Sequence, residues 1–452
     1  FGIYLSPWDR NAKCYGNSPE YNKFYMEQLT ELLTWYGRVD EVWLDGACGE
    51  GPDGRRQEYD WNAYYSLIHK YQPDAVIAIM GEDVRWVGNE TGDGRETEWS
   101  VTPFAPGARP EMTAINNKLG LNASSADLGS DELLRQADRV FWYPSEVDVS
   151  IRPGWFYHQS QDTMVKSVNS LADIYFNSVG RNSLLLLNVP PDRRGLISNY
   201  DLKSLKEFRK YLDTLYSKNL LEGARPYGHG ASYAIDKKTN TSWKPDSNAV
   251  VSYITPIPIT FNVAELCEDI SKGQRVEGFK IEVKNNDKWY TVATGTTIGY
   301  KRLLRFPAVT SDEIRLSVTA SRSKPYISTF ALLRAPETMG QTTISRDRNG
   351  FVSIISDSPF AVIKYTTDGT DPGRKSETWT TPFFFPSAGT VKYKTYINRF
   401  ADSGAVVTKS FDIAPARWKI VKADNAVKGY DAENAIDGND LTVYRSSAPA
   451  DT

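Results

Sequence analysis

The chain has 452 residues, 40% hydrophobic, 24% charged and 12% aromatic; this globular composition excludes a disordered, collagenous or coiled-coil protein and, at roughly 150 residues per domain, predicts about three domains. Its 53 Lys and Arg against 56 Asp and Glu give a net charge of -3 with no basic block, which argues against a nucleic-acid partner, and no apolar run approaches the roughly 18 residues of a membrane helix. Cys14, Cys48 and Cys267 form neither a disulfide framework nor a CxxC pair, and His69, His158 and His229 form no HExxH arrangement, so metal catalysis is not expected.

The chain opens on an apolar strand, Phe1 to Leu5, with no start methionine before it. Up to about Leu220, strands at about 2–6, 41–44, 75–79, 139–143 and 183–187 alternate with helices at about 19–36, 60–71, 161–177 and 199–217, the pattern of parallel βα units. In the first helix Phe24, Leu29, Leu32, Leu33 and Tyr36 are spaced for one face, and Ser18-Pro19 supplies a cap and first turn. Five strands where a closed barrel needs eight predict an α/β domain, a partial (β/α)8 TIM-type barrel lacking its N-terminal strands, with roughly three βα units upstream. The pattern alone also allows a doubly wound sheet.

After Asn219 the pattern changes to short alternating strands, Arg275 to Val283, Trp289 to Thr294 and Glu313 to Thr319, which predicts all-β sandwich modules. The expected domains are therefore a barrel over residues 1–219, a discoidin-like sandwich over 220–335, a small β module over 336–414 and the start of a further module over 415–452. The last boundary rests on an internal repeat. Ala234-Ile235-Asp236 is followed after four residues by Thr241 and then Trp243, and Ala435-Ile436-Asp437 in the same way by Thr442 and Tyr444. The second copy stops short of a sandwich's usual ~100 residues, so the sequence reads as truncated at both ends.

Catalytic groups of a parallel barrel sit at the C-terminal ends of its strands. The residues after each expected strand are polar and aromatic: Tyr4, Ser6, Trp8 and Asp9; Trp43, Asp45 and Glu50; Glu82, Arg85, Trp86 and Glu90; Glu146, Asp148, Arg152, Trp155 and His158; Asn188 and Asp192. Carboxylates with Trp and Arg on one face suit a sugar site, because aromatic faces stack on the C–H faces of sugar rings. Glycoside cleavage needs two carboxyl groups on independent elements, one as nucleophile or base and one as proton donor. Asp45 is the first choice: it ends the strand Val42-Trp43-Leu44 and precedes Gly46-Ala47, which leave it unobstructed. The alternative is a carboxylate that caps the following loop. For the donor, Glu82, Glu90, Glu96 and Glu98 are not separable, although Trp86 and Val87 give Glu90 an apolar wall that would raise its pKa. Arg152 has an equally good alternative as a structural ion-pair partner.

The runs Phe1-Gly2-Ile3-Tyr4-Leu5-Ser6-Pro7-Trp8-Asp9, Glu41-Val42-Trp43-Leu44-Asp45-Gly46-Ala47, Val84-Arg85-Trp86-Val87-Gly88-Asn89-Glu90, Glu146 to His158, and Ser178 to Asn182 with Leu187 to Asp192 resemble the α-L-fucosidases of glycoside hydrolase family 29. They are most similar to the subfamily that releases α-1,3- or α-1,4-linked fucose from branched, Lewis-type glycans. The resemblance extends over about residues 1–335, including Gly295 to Arg302. It implies a retaining mechanism, with Asp45 as nucleophile and Glu90 as acid/base about 5 Å apart. Tyr4, Trp43, Arg152 and Trp155 lie in motifs that line the fucose pocket of such enzymes, and Trp8, Trp86 and Glu146 beside them are expected to contact substrate too. Glu50 or Asp53, on the loop after Asp45, is expected to touch a second sugar.

The family's paired fucose-binding histidines are absent from this sequence, which places them upstream and implies an open barrel, an incomplete pocket and an inactive, aggregation-prone fragment. Residues 337–413, with Tyr365 to Asp368 and Asp371-Pro372, look like the small fibronectin-like modules of chitobiases. The segment from Arg417 looks like a discoidin-type carbohydrate-binding module, although Tyr444 and Arg445 replace the usual Trp and His. Such modules often hold calcium, so Asp437 is a possible structural ligand or else a plain turn residue; catalysis needs no cofactor. The partners implied are fucosylated oligosaccharides, and the substrate class points to a secreted or periplasmic protein. A broad-specificity fucosidase or an inactive glycan-binding protein are the alternatives.

Overall fold

The computed structural model describes residues 1–452 apart from 239, 246–248, 359, 398–401, 424–425, 438–440 and 448–452. It divides into two compact units, residues 1–335 without 167–170, and residues 336–452 with 167–170. The first unit begins with β1 (Gly2–Tyr4), α1 (Ser18–Trp35), β2 (Glu41–Leu44), α2 (Trp61–Tyr71), β3 (Val76–Ile79), β4 (Val84–Trp86), β5 (Val101–Thr102), α3 (Pro110–Leu119), α4 (Asp131–Gln136), β6 (Phe141–Trp142), β7 (Ser145–Ser150), α5 (Val168–Asn177), β8 (Leu184–Asn188) and α6 (Asn199–Leu215). Six of these strands form one parallel sheet in the order β1-β2-β3-β4-β7-β8, curled into a half-barrel with β1 and β8 at its edges.

Side chains alternate between the two faces of each strand. Ile3, Val42, Leu44, Ile77, Val147 and Val149 are buried, and the first four pack with Tyr21, Tyr25, Leu29 and Leu33 of α1 and with Tyr64, Tyr65 and Ile68 of α2. The registers Tyr4 with Trp43, Trp43 with Ala78, and Trp86 with Glu146 put the polar and aromatic residues on the opposite, concave face.

Three expectations are corrected. The sheet strand expected at 139–143 is instead Ser145–Ser150, while Phe141–Trp142 pairs antiparallel with Val101–Thr102 outside the main sheet. The short strand Val84–Trp86 joins the sheet between β3 and β7. In α1 the buried stripe is Tyr21, Tyr25, Leu29 and Leu33, whereas Phe24 and Tyr36 are exposed. The tyrosines displace the phenylalanine because their hydroxyls donate to the Pro7 and Leu5 carbonyls at 2.7 and 2.8 Å, which satisfies the polar tip inside an apolar core.

The same unit continues through β9 (Arg225–Tyr227), β10 (Val250–Glu268), β11 (Val276–Asn285), β12 (Lys288–Gly295), β13 (Arg302–Ser321) and β14 (Ile327–Leu333), antiparallel in the order β12-β11-β13-β10-β14, with β9 on β10. Register shifts interrupt the two long strands between Ile254 and Ile259 and between Phe261 and Val263, as expected where a strand bends around a core. Trp243, Tyr253, Phe261, Phe279 and Phe330 fill that core. In the second unit Thr342–Arg346, Phe351–Ser356 and Phe383–Phe384 form one antiparallel sheet, and Val362–Thr366, Glu377–Thr378, Gly389–Ile397, Asp402–Ser403 and Val407–Phe411 a second.

The internal repeat has a local structural counterpart. A short 3-10 turn, Ala231–Ala234 or Ala432–Ala435, precedes each aspartate, and the threonine five residues on donates to it, Thr241 to Asp236 at 2.8 Å and Thr442 to Asp437 at 2.7 Å. Among the described residues no helix is long and apolar enough to cross a membrane, and all three cysteines are free thiols.

Candidate active site

The concave face brings four carboxylates together, each met by one aromatic donor. Asp45 follows the last residue of β2, the strand next to β1. The Tyr4 hydroxyl donates to its Oδ2 at 2.8 Å and the Ala47 N–H to its Oδ1 at 2.8 Å, so both oxygens are held. Burial, and then the hydrogen bond to Asp45, push Tyr4 up to about 12, which keeps it a donor. Trp43 packs on Tyr4 with ring centroids 5.3 Å apart and donates its indole N–H to Glu146 at 2.7 Å. β2 and β7 lie three strand spacings apart, about 14 Å along a flat sheet; this bond exists because the sheet curls.

Trp86 donates to Asp148 at 2.8 Å and Trp155 to Glu90 at 3.3 Å. Burial raises the Asp148 carboxyl, Trp86 partly offsets it, and repulsion from Glu90 and Asp45 raises it further. Asp148 therefore lies within electrostatic reach of both proposed catalytic groups. Glu146 is 4% exposed, and burial pushes its carboxyl up to about 7 despite the Trp43 bond.

Tertiary contacts separate the four glutamates, among which the sequence gives Glu90 only the advantage of its apolar neighbours. Glu82 pairs with Arg109 at 3.2 Å, Glu96 with Arg302 and with Arg181, and Glu98, 1% exposed, with Arg85 and Arg95. Glu90 makes no ion pair among the described residues.

Of the two readings of Arg152, pocket residue or structural ion-pair partner, the geometry matches the second. Its side chain has no exposed surface; the guanidinium forks onto Asp201 at 2.9–3.0 Å, reaches Asp162 at 2.9 Å and donates to the His158 carbonyl at 3.3 Å. Arg152 thus fixes the 152–162 loop that presents Trp155, whose carbonyl also accepts from Asn188 at 3.0 Å. Trp8 is 42% exposed and packs so closely on Gly49 that a Cβ there would lie 3.0 Å from its indole nitrogen. On the same loop Glu50 is exposed, whereas Asp53 is engaged by Arg55 at 2.5 Å, which holds its carboxyl low.

Asp148 is the residue that the sequence reading did not choose. Its signal was the alternation Glu146-Val147-Asp148-Val149-Ser150, period two with the polar residues on one face. Ile79, at the end of β3 beside this face, has φ 69°, a strained conformation for a β-branched residue. Among the described residues no three His, Cys, Asp or Glu side chains are grouped to hold a metal ion. Residues 438–440, beside Asp437, lie outside the described residues.

A parallel half-barrel with carboxylates gathered over the ends of its strands places this part of the chain in the α/β class, with its polar site where such folds carry their function. A family model described as Alpha-L-fucosidase matches residues 3–215, and a crystal structure from Bacteroides ovatus, assigned to the alpha-L-fucosidases, is 40% identical with a TM-score of 0.70, covering 91% of this chain and 77% of that one. The chain belongs to the alpha-L-fucosidase family, glycoside hydrolase family 29. A GH29 fucosidase of Ruminococcus gnavus, solved in complex with fucose, is 30% identical with a TM-score of 0.63 over 74% of this chain and 72% of that one. Alpha-L-fucosidase 1 of Arabidopsis thaliana is 41% identical over 348 residues, 73% of this chain and 65% of that protein, so the chain spans just under two thirds of this plant relative. A second model, described as Fn3 associated, matches residues 352–411.

Proposed function

We propose that this chain carries the catalytic carboxylates of a retaining exo-α-L-fucosidase that releases α-1,3- or α-1,4-linked fucose from branched, Lewis-type glycans. The supporting observation is that Asp45 and Glu90 stand on separate elements, each with an aromatic donor and neither with an ion pair among the described residues. In this reading the Asp45 carboxylate attacks the anomeric carbon as the glycosidic C–O bond breaks, and the Glu90 proton passes to the leaving oxygen. Glu90, now a carboxylate, takes a proton from water as the water oxygen attacks the same carbon, and the ester bond to Asp45 breaks. Tyr4 and the Ala47 N–H each hold one oxygen of Asp45 and so fix the carboxylate for attack.

No cofactor enters this chemistry; a calcium ion at the Asp437 turn would be structural. The Gly49 to Glu58 loop sets the leaving-group side, and Glu50, open where Asp53 is tied to Arg55, takes the contact to a second sugar. A fucosylated-glycan substrate fits a secreted or periplasmic protein.

Rates of the full-length protein on a Lewis-type trisaccharide and on an aryl α-L-fucoside, with Asp45→Ala as control, test the proposal. Fast release from the branched sugar, slow release from the aryl compound and a dead variant are expected. Equal rates on both would favour the broad-specificity enzyme; no hydrolysis, with glycan binding retained, would favour the binding protein.

A further inference from the structure

We propose that the β domain formed by β9 to β14 holds the general acid in place, with Gln274, Thr296, Thr297 and Arg302 as positioning residues for the loop that carries Glu90. This rests on Glu90 being the acid. The stretch from Val87 to Ser100 belongs to no helix or strand, so its backbone polar groups need partners from elsewhere. At residues 96, 98 and 100 side chains of the β domain supply several of these partners. The Glu96 carbonyl accepts from Arg302 at 2.7 Å and from Thr296 at 3.1 Å. The Glu98 N–H donates to Thr297 at 3.1 Å, the Glu98 carbonyl accepts from Gln274 at 2.7 Å, and the Ser100 N–H donates to Gln274 at 3.0 Å.

Arg302 also pairs with the Glu96 carboxylate. It is 2% exposed and its Nε has no hydrogen-bond partner among the described residues, so the guanidinium gives up one bond to stay aimed at this loop. From the other side, Arg85 of β4 grips the Glu98 carboxylate.

Upstream of this clamp the chain has little freedom. Gly88 and Gly92 flank Glu90 with φ of 97° and 93°, and a Cβ on Gly88 would sit 2.6 Å from the Ala123 carbonyl oxygen. Between them Asn89 accepts from the Thr91 N–H at 3.0 Å and donates to the Asp93 carbonyl at 2.9 Å. The Gly94 N–H donates to the Asn177 carbonyl at 2.7 Å. Glu90 therefore rides on a short stiff turn whose downstream end is fixed by the β domain. A displacement of about 1 Å of a catalytic group can cost on the order of a hundredfold in rate.

The test separates protonation of the leaving group from general damage. kcat/KM is measured on a fucosylated oligosaccharide, whose leaving oxygen needs a proton, and on α-L-fucosyl fluoride, whose leaving group does not. The proteins are the full-length protein and, in it, Glu90→Gln, the near-isosteric double variant Thr296→Val/Thr297→Val, and Arg302→Lys, with melting temperatures in parallel. Glu90→Gln is expected to lose about a hundredfold or more on the oligosaccharide and little on the fluoride. The two clamp variants are expected to lose about tenfold on the oligosaccharide and under about threefold on the fluoride. Equal losses on both substrates in the clamp variants, or none, while Glu90→Gln discriminates, would overturn the proposal and leave the β domain a purely stabilising element. If Glu90→Gln itself loses both substrates equally, Glu90 is not the acid and the clamp proposal falls with it.

Discussion

Glu146 offers a sharp test of how this site handles buried charge. The substitution is Glu146→Gln, which keeps an oxygen for the Trp43 indole N–H and removes the titrating proton. Burial, opposed by the Trp43 bond and reinforced by repulsion from Glu41 and Asp148, lifts the carboxyl from an ordinary 4.5 to about 7. That difference, at about 1.4 kcal/mol for each tenfold change in protonation, is worth about 3 kcal/mol. The folded state binds the proton more tightly than the unfolded chain. Wild-type stability from this group is therefore fully present below about pH 4.5 and is lost as pH rises through about 7. Glutamine is neutral throughout. The variant should match the wild type near pH 4.5 and exceed it by about 3 kcal/mol at pH 8, read from urea unfolding at several pH values. A difference that is flat with pH, or that grows toward acid, would show that Glu146 is an ordinary ionised carboxylate.

Arg152→Met should cost about 3–5 kcal/mol, because it leaves Asp201, with no exposed surface, as an uncompensated buried charge; Arg152→Met/Asp201→Leu should recover most of it in thermal melts. An unchanged melting temperature with a raised KM would return Arg152 to direct sugar binding. Tyr4→Phe removes the donor to Asp45 Oδ2, so kcat/KM should fall about tenfold with little change in melting temperature; an unchanged kcat/KM would disconnect Tyr4 from the proposed nucleophile. Dialysis against EDTA should leave kcat unchanged, since the proposed reaction runs on two carboxylates; a loss restored by calcium would refute this.

Much of the scaffold was legible because its signals are local. The helices α1, α2 and α6 fall within two residues of their expected bounds, since period, caps and a proline in the first turn are written in consecutive residues. Asp45 was legible for the same reason, an apolar strand ending in a carboxylate before Gly46. The strand Ser145–Ser150 was not. Half of its residues face the polar concave surface, so it lacks the apolar run by which β8, Leu184–Asn188, is recognised.

The sequence by itself determined the alternation of strands and helices, the polarity of one sheet face and the motifs that mark the family, because each depends on residues a few positions apart. Which of the four glutamates is left without an ion pair among the described residues was decided only in three dimensions. Among the arginines that engage them, Arg85 lies 13 positions from Glu98, Arg109 27 from Glu82 and Arg302 206 from Glu96. Periodicity carries no record of such pairings, and a carboxylate's protonation and reach are set by the charges and dipoles the fold brings beside it.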